Sequence, residues 1–159
     1  MNKNSSIVNE EPKPIDLIRT WEERGYSIGF TNGCFDLIHP GHISLLHCAK
    51  NECDKLVVGL NSDSSVAKLK GKDRPIQKEN ARATVLLALK DVDIVIIFNE
   101  ETPIKLIELI KPDVLIKGGD YKIDEIVGAE FIQQNGGRVV LSDYKKGHST
   151  SDIIKKIES

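Results

Sequence analysis

Tyr26-Ser27-Ile28-Gly29-Phe30-Thr31-Asn32-Gly33-Cys34-Phe35-Asp36-Leu37-Ile38-His39-Pro40-Gly41-His42 is the stretch on which the fold turns. Tyr26 to Phe30 reads as a short strand, Thr31 to Asp36 as the turn leaving it, and Gly41 to Cys53 as an amphipathic helix whose Ile43, Leu45, Leu46 and Ala49 face a core. Two imidazoles therefore stand where a strand gives way to a helix. A helix start carries unpaired N–H groups and the positive end of the macrodipole, so anionic oxygens are favoured there before any side chain contributes. Next to a polyphosphate, an imidazole donates a hydrogen bond or gains a proton. Taken alone, His39 and His42 are also compatible with a solvated or structural pair, or with two ligands of a zinc site that would need two more. Gly33 permits a close backbone approach or a positive φ, and Asp36 can accept backbone N–H bonds, which together suit a ligand-cradling turn.

Outward from this stretch, apolar runs recur at Lys55 to Leu60, Asp93 to Phe98, Asp113 to Lys117 and Arg138 to Ser142. Their hydrophobicity is continuous rather than alternating, which predicts strands covered on both faces. Helical stretches separate them: Pro14 to Arg24, Gly41 to Cys53, Glu79 to Lys90, Pro103 to Ile110, Ile123 to Gln134 and Ser151 to Ile157. Such alternation predicts an α/β fold, a single Rossmann-like doubly wound parallel sheet of about five strands with helices on both faces. Ligands sit at the carboxyl ends of strands in such sheets. Four sequence-distant segments fall there: the His39/His42 stretch, Asn61-Ser62-Asp63, Gly118-Gly119-Asp120-Tyr121, and His148-Ser149-Thr150-Ser151.

A chain of 159 residues, 40% hydrophobic, suits one domain. The polar Met1 to Lys13 reads as a flexible tail and residues 14–159 as the domain. No run approaches the about 18 apolar residues a membrane span needs, and no secretory signal is visible, so a cytoplasmic protein is expected. Cys34, Cys48 and Cys53 lack C-x-x-C spacing and read as free thiols. A net charge of −2 offers no global attraction to nucleic acid or an anionic membrane.

Lys68, Lys70, Lys72 and Arg74 crowd what reads as a short loop, broken by Gly71 and Pro75. They form either a solvated face or a set of donors closing over phosphates. Arg82 stands at the edge of the apolar face marked by Val85, Leu86 and Leu89, able to reach the crevice or lie in solvent. Lys117-Gly118-Gly119 ends a strand as a plain loop or a nucleoside site, with Asp120 placed to accept from a sugar hydroxyl. Of Ser149, Thr150 and Ser151, helix capping accounts for one and leaves two for phosphate oxygens.

Gly33-Cys34-Phe35-Asp36 followed by His39-Pro40-Gly41-His42 resembles the signature of the nucleotidyltransferases that include the cytidylyltransferases and phosphopantetheine adenylyltransferase. Thr31-Asn32-Gly33, Asn61-Ser62-Asp63, Leu69-Lys70-Gly71 with Arg74-Pro75, Glu101-Thr102-Pro103, Leu115 to Lys122, and Ser149-Thr150 with Ile153-Ile154 further resemble the D-glycero-β-D-manno-heptose 1-phosphate adenylyltransferases. The likeness runs from about Pro14 to the C-terminus, and the length is similar to the free-standing form of these enzymes. Cys34, Cys53 and the Lys145-Lys146-Gly147-His148 stretch depart from wider patterns, the last weakening a cytidylyltransferase assignment and leaving the role of His148 open.

This resemblance implies transfer of AMP from ATP to a sugar 1-phosphate by in-line attack on the α-phosphorus, without a covalent enzyme intermediate. It implies that His39, His42, Lys70 and Arg82 act in catalysis. Gly33, Cys34, Phe35, Gly41, Lys117, Gly118, Asp120, Ser149, Thr150 and Ser151 are then expected to hold ATP, and Asn32, Asp36, Asn61, Asp63 and Arg74 the second substrate. Mg²⁺ is expected on the ATP phosphates, with no protein ligand. The partners so implied are small molecules and further copies of the chain. Rival readings are a cytidylyltransferase acting on an alcohol phosphate such as glycerol 3-phosphate, and a nucleotide-binding module without turnover.

Overall fold

The computed structural model describes residues 13–119, 121–143 and 148–159. Its strands are β1 (Ile28–Gly33), β2 (Lys55–Asn61), β3 (Ile94–Phe98), β4 (Val114–Gly118) and β5 (Arg138–Ser142). The helices are α1 (Pro14–Glu23), α2 (Pro40–Asn51), α3 (Asp63–Lys70), α4 (Glu79–Ala88), α5 (Ile104–Ile110), α6 (Ala129–Gln134) and α7 (Thr150–Glu158). All strand pairings are parallel, in the order β3-β2-β1-β4-β5. The order reverses between β1 and β4, and this is where an open α/β sheet offers its crevice.

Strand alternation builds two cores. Val57 and Leu115 point to the face covered by α1, α5 and α6, with Ile18, Ile107, Ile110 and Ile132. Leu56, Val58, Leu60, Val114 and Ile116 point to the other face, with Leu46 and Ala49 of α2 and Ala83 and Leu86 of α4. The expected doubly wound sheet is thus present, and each face buries a full apolar layer. At the amino ends of the strands, carboxylates fasten backbone: Asp113 accepts from the Ile28 N–H at 2.7 Å and Asp93 from the Leu56 N–H at 2.8 Å. No helix among the described residues is long and apolar enough to cross a membrane.

β1 pairs with β2 along its whole length but with β4 only through Gly29 with Val114 and Phe30 with Leu115. Beyond Phe30 the two central strands are no longer paired.

Several boundaries differ from the sequence reading. The first strand starts at Ile28, because the Tyr26 N–H closes the end of α1 on the Trp21 carbonyl, and it runs on through Thr31, Asn32 and Gly33 alongside β2. The turn begins at Cys34, and its positive φ falls on Phe35 (46°), not on Gly33. The first half of the expected basic loop is α3, capped by Ser62, whose Oγ accepts from the Ser65 N–H at 3.2 Å. Lys68 and Lys70 lie in its last turn, where cations suit the helix dipole. The stretch expected to be helical from Ile123 to Gln134 is a 3₁₀ turn followed by α6, broken at Gly128, whose φ of 87° ends one element and caps the next. Asp120, the Met1 to Lys13 tail up to residue 12, and Lys145-Lys146-Gly147 lie outside the described residues.

Candidate active site

A cleft of about 700 Å³ opens at the carboxyl ends of the strands, over the place where β1 and β4 part. Its lining includes Asn32 to Asp36, His39, Gly41 and His42 from the end of β1 to the start of α2; Asn61 at the end of β2; Lys117 to Gly119 and Tyr121 at and beyond the end of β4; and His148 to Ser151 at the start of α7. The four segments singled out in the sequence do converge.

His39 caps α2. Its backbone is extended, its Nδ1 accepts from the Gly41 N–H at 3.1 Å, and Pro40 occupies the first helical turn. A neutral ring accepting at Nδ1 carries its proton on Nε2. His42, one turn on, stacks on it with ring centroids 3.7 Å apart and planes 25° apart, and Phe35 flanks His42 at 5.0 Å. Glycine at 41 is required by this packing, since a Cβ there would stand 2.9 Å from His39 Cε1.

Burial holds the His42 pKa down to about 4, with the neighbouring His39 adding to the effect and the Leu37 carbonyl opposing it weakly. The buried Nδ1 of His42 finds no hydrogen-bond partner among the described residues. His39 is lowered in the same sense, by burial first and by His148 second. Both rings are thus neutral at pH 7. Lys117 adds a cation with no carboxylate partner among the described residues. Its Nζ is half-shielded, 3.5 Å from Asn32 Oδ1 and 5.9 Å from the centre of the Tyr121 ring, and burial lowers its pKa. The Cys34 thiol is pushed up by burial, more than Lys70, Arg82 and Arg74 pull it down, so it is a protonated wall group and not a nucleophile.

Other expected site residues have structural duties. Arg82 does not line the cleft: its guanidinium is fully buried and donates to the carbonyls of Cys34 (2.7 Å), Asn61 (2.8 Å) and Gln77 (2.9 Å) and to Asp63 Oδ1 (2.9 Å). Because Ala83 and Leu86 draw this face of α4 into the core, Arg82 follows inward and satisfies backbone acceptors of two strand-exit turns. The expectation that it neutralises phosphate is corrected. Asp63 is likewise occupied, by Arg82 and by the Glu79 N–H at 2.8 Å, and stands outside the cleft. Asn61 lines it, but its amide nitrogen is bound to Ser65 Oγ at 2.9 Å.

Asp36, buried, accepts from Arg74 Nε (2.9 Å) and from the N–H groups of Ile76 (2.8 Å) and Gln77 (2.9 Å). Burial raises its pKa, yet these donors prevail and hold it below the usual carboxylate range. Asp36 and Arg74 therefore face the cleft as a paired clamp rather than as free substrate ligands. Lys70 lines the cleft with no ion pair among the described residues. Ser149 is spent as the N-cap of α7, accepting from the Asp152 N–H at 3.0 Å, and Thr150 Oγ1 donates to the Leu37 carbonyl at 3.3 Å, tying α7 to the start of α2.

Sequence reasoning assigned no role to several lining residues: Glu101, Thr102 and Pro103 before α5, Glu125 to Val127, and Ser142 with Asp143 after β5. Their common signal is position, each following or approaching the carboxyl end of a strand. No group of three or more histidine, cysteine or acidic side chains able to hold a metal occurs among the described residues.

Residues 30–156 match the cytidylyltransferase-like family. The bifunctional protein HldE of Paramagnetospirillum magneticum is 56% identical over 142 residues, covering 89% of this chain and 29% of that protein. The HldE of a Bradyrhizobium species is 51% identical over 153 residues, covering 96% of this chain and 31% of its own. The chain thus spans under a third of the length of these curated relatives. Among solved structures, a lipopolysaccharide core biosynthesis protein from Thermoplasma volcanium superposes with a TM-score of 0.61 at 33% identity, over 78% of this chain and all of the other. A pantoate-beta-alanine ligase from Francisella tularensis shares the fold, with a TM-score of 0.58 at 19% identity over 91% of this chain and 75% of its own.

Proposed function

The chain belongs to the cytidylyltransferase-like family, and from that premise we propose that it is an adenylyltransferase, moving AMP from ATP to D-glycero-β-D-manno-heptose 1-phosphate and releasing pyrophosphate. The product, ADP-heptose, is a precursor for surface glycan, a reading supported by likeness to the HldE proteins and to a lipopolysaccharide core biosynthesis protein. The observation that carries the proposal is the stacked pair His39 and His42 at the open end of α2, facing a cleft that Lys70 and Lys117 also line.

ATP would enter as its Mg²⁺ complex, and the ion would rest mainly on phosphate oxygens and water, where it would neutralise phosphate charge. The α2 N-terminus, the Nε2–H of His39 and the ring of His42 lie against the α- and β-phosphates. The sugar phosphate is already a nucleophile at neutral pH, so one phosphate oxygen forms a bond to the α-phosphorus as the bond to the bridging oxygen breaks, and pyrophosphate departs with the electron pair. No proton has to be removed. The rate then comes from alignment and from donors fixed where charge builds on the α-phosphate and leaving group. Lys117 and Lys70 add positive charge from two walls.

The test is pyrophosphate release with ATP or CTP against heptose 1-phosphate, other sugar 1-phosphates and glycerol 3-phosphate. Turnover with ATP and heptose 1-phosphate is the expected result. Preference for CTP and an alcohol phosphate would replace the proposal with a cytidylyltransferase, and saturable ATP binding without turnover on any acceptor would replace it with a sensing module.

A further inference from the structure

His148 has no role in the reaction as written above, yet it stands in the same cleft. Its ring lies nearly parallel to that of His39, 18° between planes and 6.4 Å between centroids, so that His42, His39 and His148 form one file of three imidazoles. The 6.4 Å spacing is far from the 3.7 Å face contact of the first two rings, so stacking alone does not account for its position.

The backbone around it is built for closeness. A Cβ at Gly41 would come within 3.5 Å of His148 Cβ, and Thr150 bonds the Leu37 carbonyl, which brings the start of α7 against the start of α2. Two helices of more than eight residues therefore aim their N-terminal ends at one space, with the three rings between them. None of the three rings has a carboxylate partner among the described residues, whereas the fourth histidine, His47, at the far end of α2, is paired with Asp91 at 3.2 Å. Within the file, each ring disfavours a proton on the next, His148 acting on His39 and His39 on His42. Rings that would repel one another once protonated, with no carboxylate beside them among the described residues, suit an anionic ligand, which offsets that cost.

We propose that His148 is a third polyphosphate-binding imidazole, set at the start of α7 to hold the outer part of a phosphate chain whose inner part lies against His39 and His42. The inference rests on the nucleotidyltransferase reading and deepens it: in the forward direction the group His148 holds is the departing pyrophosphate. His148 touches substrate, and it does so through a ring N–H.

The experiment titrates inorganic tripolyphosphate into the full chain by calorimetry, a measurement that requires no acceptor sugar. His148→Ala and His148→Phe should each weaken binding about tenfold or more, the worth of one charge-assisted hydrogen bond. The phenylalanine keeps a ring over His39 and loses only the N–H. His148→Arg should hold affinity within a few-fold, and His47→Ala should leave it unchanged. Wild-type affinity in His148→Phe would reduce His148 to a packing element, and wild-type affinity in His148→Ala would remove it from the site altogether; either result overturns the proposal. Tripolyphosphate binding that depends on His148 in a chain that transfers no nucleotide to any acceptor would sink the adenylyltransferase reading and leave this one standing. Absence of tripolyphosphate binding by the parent chain would sink both.

Discussion

His42 offers the sharpest quantitative test, because its ring is held neutral by the folded protein. Its pKa falls from 6.5 to about 4 on burial beside His39. The unfolded chain binds a proton at this ring as pH drops through 6.5, while the native chain does not until near pH 4. Protons thus favour unfolding over this window: the contribution is absent above 6.5, grows as pH falls, and levels off below 4. For one such group the linkage relation gives a loss of about 2 kcal/mol between pH 7 and pH 5, and about 3 kcal/mol by pH 4. The perturbation is His42→Phe, which keeps an aromatic ring between Phe35 and His39 and removes the titration. Urea unfolding at half-unit steps from pH 7 to pH 4.5 should show the parent losing stability more steeply than the variant, the difference reaching about 2 kcal/mol at pH 5. His39, lowered in the same sense, contributes to both proteins and largely cancels. Parallel stability curves, or an NMR titration of the His42 ring with a midpoint near 6.5, would refute the burial argument.

Replacing His42 by alanine should cut pyrophosphate release by about 10²- to 10³-fold with circular dichroism unchanged, the range expected for one fixed donor to developing charge; a near-normal rate would remove it from the mechanism. Arg82→Met should cost about 3–5 kcal/mol in urea unfolding, since it takes the donor from three backbone carbonyls and one partner from the part-buried Asp63, and a stable but inactive variant would restore Arg82 to the phosphate site. Lys117→Met should leave stability unchanged or about 1 kcal/mol higher, as a desolvated cation is lost, while ATP affinity measured by titration falls about tenfold. Loss of stability with ATP affinity intact would reverse that assignment.

The sheet and its direction were legible because doubly buried strands have an unmistakable continuous pattern, and the convergence of four loops follows from chain alternation alone. Residue roles were less so. Arg82 and Asp63 have the chemistry of phosphate and sugar ligands, and only their three-dimensional partners reveal that they satisfy each other and the backbone. A charge at the margin of a helix's apolar face is equally compatible with solvent, cleft or core, and periodicity carries no information on which backbone acceptors wait inside. The α3 helix is not legible because its eight residues, stopped by Gly71, give too few turns for a periodic signal, although Ser62 before Asp63 is a capping pattern. Of the two reasons the sequence offers for Gly33, close approach and positive φ, the structure shows the first: a Cβ there would meet the Phe35 ring at 3.0 Å.

The early parting of β1 from β4 has a mechanical consequence. Two half-sheets, β3-β2-β1 and β4-β5, are joined by a ladder of two rungs, and above it, among the described residues, a hydrogen bond from Lys117 to Asn32 spans the seam. A nucleotide lodged there touches both halves and fastens what the backbone leaves open, so part of its binding energy becomes cohesion of the protein itself. Occupancy should be felt well beyond the phosphates, as slower amide exchange along β4 and β5, the shorter half that has least else to hold it.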